Sequence, residues 1–176
     1  MFRLASNATT FQVRSIGNSR LTPQQFVAEI EQRCQQAFAQ GMERAEQRLA
    51  NGDRLRFPTD MPPQLQKGLY ANEWAKGAVS DFLTTRGIPE GPGQPVALNR
   101  WAYDAQGSGN DVRPDVLIDL GPSQRHWIDV KSSFINSGVL PQQLRLFFEY
   151  TGSQTGTIST KSGSFSVRSH VVRRRP

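Results

Sequence analysis

The chain has 176 residues, enough for one domain with a real core and an appended element. Lysine and arginine number 21 against 15 acidic residues, a net charge of +6 that favours polyanionic partners without implying sequence readout. One cysteine excludes intramolecular disulfides and, with only two histidines, argues against zinc chemistry built on thiolate or imidazole.

No run of about 18 apolar residues exists, so no membrane span is expected. The first residues lack the apolar block of a signal peptide. The expectation is a soluble protein acting in the cytoplasm, with export or delivery by a route needing no such peptide, or as part of a larger chain, left open.

Residues 1 to 21 are mixed and polar and read as a loosely ordered arm. Thr22 then offers an N-cap and Pro23 a first helical residue. Phe26, Ile30, Cys34, Ala37, Phe38, Ala45 and Leu49 recur at helical spacing until Asn51-Gly52 ends the run. Gly41, mid-helix, marks a candidate bend, and Cys34 reads as a small buried apolar group. This is a packing helix, and residues 1–60 form an arm and helical extension ahead of a main domain at 61–176.

Arg54 to Pro63 is a proline-rich connector. A second helix is expected from about Gln64 to Arg86, stopping at Gly87, with Ala71, Ala75, Ala78, Val79, Phe82 and Leu83 on its buried face. Pro89 to Pro95 is a loop, Pro95 to Tyr103 a first strand, and Asp104 to Asp111 a glycine-rich turn. Arg100, Trp101 and Tyr103 suit a nucleic-acid groove, where arginine meets phosphate and rings stack on bases, but serve equally as ordinary strand residues.

The chemistry concentrates in Arg113-Pro-Asp-Val-Leu-Ile-Asp-Leu-Gly121 and Arg125-His-Trp-Ile-Asp-Val-Lys-Ser-Ser133. Two apolar runs flank Gly121 to Gln124, a hairpin turn. Side chains alternate along a strand, so Asp129 and Lys131 share one face while Ile128 and Val130 point into a core. Asp115 and Asp129 are equidistant from Pro122, which sets them opposite each other with Cβ atoms about 5 Å apart. Two carboxylates that close repel unless a cation lies between them. A hard divalent ion such as Mg²⁺ (or Mn²⁺) suits that gap, and Lys131 can pair with either acid. The competing reading is an edge hairpin whose charges are solvated and paired across the strands.

Pro114-Asp115, thirteen intervening residues and Asp129-Val130-Lys131 resemble the signature of PD-(D/E)XK nucleases, and the likeness extends over about residues 64 to 151. The resemblance implies a restriction-endonuclease-like αβα sandwich with a mixed central sheet. It implies a metal-dependent endonuclease in which Asp115 and Asp129 hold the metal and Lys131 stabilises charge. Glu73 occupies the place of the helix glutamate that such enzymes aim at the metal, with Asp81 as a substitute. Gln143, and after it Gln142, matches the polar residue on the following helix that supports the site.

Ser132 to Leu140 links the hairpin to a helix that begins at Pro141 and contains Leu144, Leu146, Phe147, Phe148 and Tyr150. Thr151 to Gly163, rich in Gly, Ser and Thr, reads as a mobile loop. Ser164 to Val172 alternates like a strand, and Arg173, Arg174 and Arg175 close the chain as a basic tail. With Arg100 and Arg113 these arginines are candidate phosphate contacts. Gly156 to Ser162 lacks the glycine before its lysine that a phosphate-binding loop needs, and no Ser-x-x-Lys exists for acyl transfer.

The function expected is therefore hydrolysis of phosphodiester bonds, DNA favoured over RNA. A compact nuclease of this size resembles the toxin domains of bacterial competition systems, which an acidic immunity protein holds inactive. The rivals are a housekeeping or phage nuclease of repair, junction resolution or restriction, and a non-catalytic nucleic-acid-binding module.

Overall fold

The structure is a computed structural model that describes residues 13–14, 20–57, 60–98, 114–121, 123–131 and 141–169. Two stretches of the N-terminal arm, β1 (Val13–Arg14) and β2 (Arg20–Leu21), pair as a short antiparallel ladder. Helix α1 (Pro23–Ala50) opens on a full capping box. Thr22 Oγ1 accepts from the Gln25 amide at 3.1 Å, and Gln25 Oε1 accepts from the Thr22 amide at 2.9 Å. Its apolar stripe, Phe26 to Ala45, is buried. Gly41 lies inside this one unbroken helix, where it serves a crossing. A Cβ there would lie 2.7 Å from the Ala71 Cα of helix α2 (Pro63–Thr85), so the glycine permits the two helices to cross in contact.

The sheet contains β3 (Val96–Leu98), β4 (Val116–Asp119), β5 (Arg125–Val130), β6 (Thr155–Thr160) and β7 (Gly163–Arg168), in that spatial order. All neighbours are antiparallel except β5 and β6, which run parallel and are joined through helix α3 (Pro141–Thr151). A parallel pair requires such a crossover. The protein is thus α/β with a mixed five-stranded sheet.

Alternation along the strands feeds two cores. Val96, Val116, Ile118, Ile128 and Val130 pack beneath α1 and α2, against Phe26, Ile30, Phe38, Ala71, Ala75 and Val79. Trp127 and Ile158 point the other way and pack with Phe147 and Phe148 of α3. Helix α1, expected as an extension, shares one core with α2 and the sheet. The hairpin is likewise no edge element: β5 is interior, and its residues from His126 to Val130 are all buried. That removes the solvated reading for Asp115 and Asp129, whereas Asp119 and Arg125 do pair across the strands, 2.9 Å apart and part-exposed.

The Gly/Ser/Thr-rich segment expected to be a mobile loop holds β6, buried from Gly156 to Thr160. Its composition misleads because small residues are required there. A Cβ at Gly156 would fall 2.0 Å from Trp127 Cε2, so the indole occupies the space a side chain would take. Among the described residues the last strand is β7, and the residues from 170 onward lie outside them. Among the described residues no helix is long and apolar enough to cross a membrane.

Candidate functional site

The β4–β5 ladder pairs Val116 with Ile128, Leu117 with Trp127, Ile118 with His126 and Asp119 with Arg125. One step beyond its end, the same register sets Asp115 opposite Asp129. Both acids are buried, at 7% and 3% exposure. Asp115 is held from two sides: its Oδ2 accepts from the Val130 amide at 2.7 Å and its Oδ1 from Asn72 Nδ2 at 2.6 Å. These bonds tie the end of β4 to β5 and to α2 at once.

Lys131 Nζ lies 2.9 Å from Asp129 Oδ2, so among the described residues that buried oxygen is met by an ion pair. Burial pushes the Asp129 carboxyl up, to about 7. The Asp115 charge, close enough for the two side chains to hydrogen-bond, raises it further, and Lys131 only partly offsets this. Asp129 therefore resists ionising beside Asp115.

Three buried side-chain atoms have no hydrogen-bond partner among the described residues: Asn72 Oδ1, Asp129 Oδ2 and, in the other core, Trp127 Nε1. Two of the three are oxygens belonging to residues that adjoin Asp115. Two carboxylates and an amide oxygen fit a hard divalent cation, which takes oxygen ligands and, for Mg²⁺, often only one or two carboxylates besides phosphate and water. Among the described residues no group of three or more His, Cys, Asp or Glu could hold a metal, so any such site rests on these two acids and a neutral oxygen.

The remaining expected residues fall elsewhere. Glu73 is 67% exposed and forms an ion pair with Lys76 one turn on. Successive helical residues point about 100° apart, so with Asn72 turned to the sheet Glu73 faces outward. Asp81 is exposed near the end of α2, in a cleft with Arg33, Phe82 and Arg86. Gln143 sits half-buried in the first turn of α3, with no described hydrogen bond to Lys131 or either aspartate, and Gln142 is exposed. Arg100, Arg113, Arg173, Arg174 and Arg175 lie outside the described residues.

Sequence reasoning passed over two features. The first is Asn72, which a strict helical phase would have found, since 72, 75, 79 and 83 trace one side of α2 and the last three are buried. The second is a polar cluster inside the sheet's α1 face. Glu31 Oε1 lies 2.9 Å from His126 Nε2, Thr155 Oγ1 lies 2.8 Å from His126 Nδ1, and Thr157 donates to Glu31. Burial works to raise the Glu31 carboxyl, but its bonds to His126 and Thr157 and the His126 charge outweigh it, leaving the group below its ordinary value. Cys34, one turn further along α1, is buried. Burial first, then the negative charges of Asp115, Asp129 and Glu31, push its thiol up to about 12, so it is no nucleophile.

No family model matches the chain, and no curated protein matches it at a significant level.

Proposed function

We propose that this protein is a metal-dependent nuclease of the PD-(D/E)XK kind, with a restriction-endonuclease-like fold, acting on DNA in preference to RNA. The observation that carries the reading is the buried pair Asp115 and Asp129, set across a hairpin with Lys131 beside it. A buried pair of like charges destabilises a fold, and sites that retain one are often functional. The three-layer arrangement of helices about a mixed sheet is compatible with the same family.

In this reading Asp115 and Asp129 hold Mg²⁺ or Mn²⁺. The bound ion supplies positive charge to a phosphodiester oxygen and acidifies a water. The chain's own contribution is placement. The Val130 amide and Asn72 fix the rotamer of Asp115. Lys131, 24% exposed, is near enough to solvent to meet charge that develops on a phosphate. The net charge of +6 draws a polyanion toward the site and equally suits an acidic protein inhibitor of a toxin domain.

The test is incubation of the protein with plasmid DNA and with RNA, in Mg²⁺ and then in EDTA, alongside Asp129→Ala and Lys131→Ala. Degradation by the parent that EDTA stops and both substitutions abolish supports the proposal. Equal degradation by the parent and both variants refutes it. Salt-sensitive binding without any product would instead mark a binding module.

A further inference from the structure

We infer that Asn72, through its side-chain oxygen, is the third protein group facing the divalent cation, in the role the sequence had suggested for Glu73. This rests on the proposed cation site and extends it to a residue of α2.

The backbone position of Asn72 is constrained first. Its neighbour Ala71 is fully buried, and the Gly41 crossing presses α1 against the Ala71 Cα. Ala75 and Val79, further along the same side, are buried in the core. Helix α2 therefore has little freedom to slide or turn at this point.

The amide orientation is fixed next. Asn72 Nδ2 donates to Asp115 Oδ1 at 2.6 Å. Turning the amide over would set its carbonyl oxygen against a carboxylate oxygen, two acceptors with no proton between them. With the nitrogen committed to Asp115, the oxygen is the buried atom left without a donor. Buried polar atoms are nearly always satisfied, and an orphan asks for an explanation.

A cation answers for the orphaned Asn72 oxygen and can share Asp129 Oδ2 with the Lys131 ammonium. Asn72 Oδ1 and Asp129 Oδ2 are acceptors, one hydrogen-bonded through its amide to Asp115 and the other belonging to the acid across from it. A single hard cation satisfies several oxygen acceptors together, and an amide carbonyl is an ordinary ligand for one. A bridging water is the competing occupant. The two differ in consequence, because a neutral third oxygen leaves the set with two negative charges, offset in part by Lys131. Ligand charge tunes affinity for hard cations. Exchanging the amide for a carboxylate should therefore tighten cation binding, whereas exchanging one water's acceptor for another should not.

The experiment uses the full chain without nucleic acid, titrated with Mn²⁺ and followed by loss of the free-ion electron paramagnetic resonance signal. Mg²⁺-dependent thermal shifts provide a second readout. Asn72→Ala, Asn72→Asp, Glu73→Gln and Asp129→Ala are compared with the parent. We expect Asn72→Ala to weaken binding about tenfold, in the range for groups that orient or complete a metal site. Asn72→Asp should melt lower than the parent without cation, from its charge beside Asp115, bind more tightly, and recover stability as cation is added. Glu73→Gln should match the parent. If both Asn72 variants bind as the parent does while Asp129→Ala loses binding, the assignment to Asn72 is overturned and the cation site stands. If Asp129→Ala binds as the parent does, or the parent shows no saturable binding, the cation site falls and this inference falls with it. Asn72→Asp is nearly isosteric, so the question stays answerable should Asn72→Ala fail to fold.

Discussion

Replacing Asp129 by asparagine should make the protein more stable while removing its proposed activity. Asp129 is 3% exposed, faces Asp115, and has its carboxyl raised from 3.8 to about 7. One unit of pKa corresponds to about 1.4 kcal/mol, so the ionised carboxylate costs the folded state roughly 4 kcal/mol above pH 7. The sign follows from the direction of the shift. A raised carboxyl favours the folded state fully below its unfolded pKa, and that advantage is lost as pH rises from about 4 through 7. Asparagine resembles the protonated acid and never carries the charge. Its amide brings N–H donors into a buried place, and imperfect pairing there takes back part of the gain, leaving about 1–3 kcal/mol. For a chain of this length that is a rise in melting temperature of roughly 3–10 °C. Urea melts of parent and variant at pH 3, 5, 7 and 8 test it. The curves should nearly coincide at pH 3, separate between pH 4 and 7, and stay parallel above. A variant no more stable than the parent at pH 8 would refute the reasoning, because the attraction of Lys131 would then outweigh burial and the repulsion from Asp115.

Three other outcomes are expected. Gly156→Ala forces a methyl group into the Trp127 indole, 2.0 Å from Cε2, and should cost about 3 kcal/mol or more in chemical denaturation, since neither the strand nor the fully buried ring can yield cheaply. Glu31 has a depressed carboxyl, so its contribution is present above about pH 4.5 and is lost as pH falls through its folded value. Glu31→Gln should therefore flatten the acid limb of the stability profile, and an unchanged limb would count against the cluster. Thr22→Ala removes the hydroxyl half of the α1 capping box and should lower stability by about 1 kcal/mol, measurable in the same melts.

Much of this architecture was legible because local signals and tertiary packing agree. Thr22-Pro23 and the Phe26 to Ala45 stripe mark α1, and the symmetric spacing about Pro122 gives the hairpin register. Legibility failed where a residue's role is set by something distant in sequence. Gly41 looked like a weak point in a helix until Ala71 was seen against it. Thr155, Gly156 and Thr157 read as loop, because the two hydroxyls make sense only beside His126 and Glu31 and the missing side chain only beside Trp127. The same holds within the candidate site. Asp115 and Asp129 are related by a local turn, whereas the choice between Asn72 and Glu73 depends on the rotation of α2 against the sheet, which packing alone decides.

The parallel pairing of β5 with β6 bears on the order in which the sheet can be completed as the chain is made. Asn72, Asp115, Asp129 and Lys131 all precede residues 155–160 in the order of synthesis, and closing the β4–β5 ladder needs only the short turn between those strands. Until β6 arrives, through α3, one side of β5 has no hydrogen-bonded neighbour and Trp127 has no Gly156 to lie against. A chain holding all four candidate groups thus still lacks the serine- and threonine-rich strand that closes the sheet beside them.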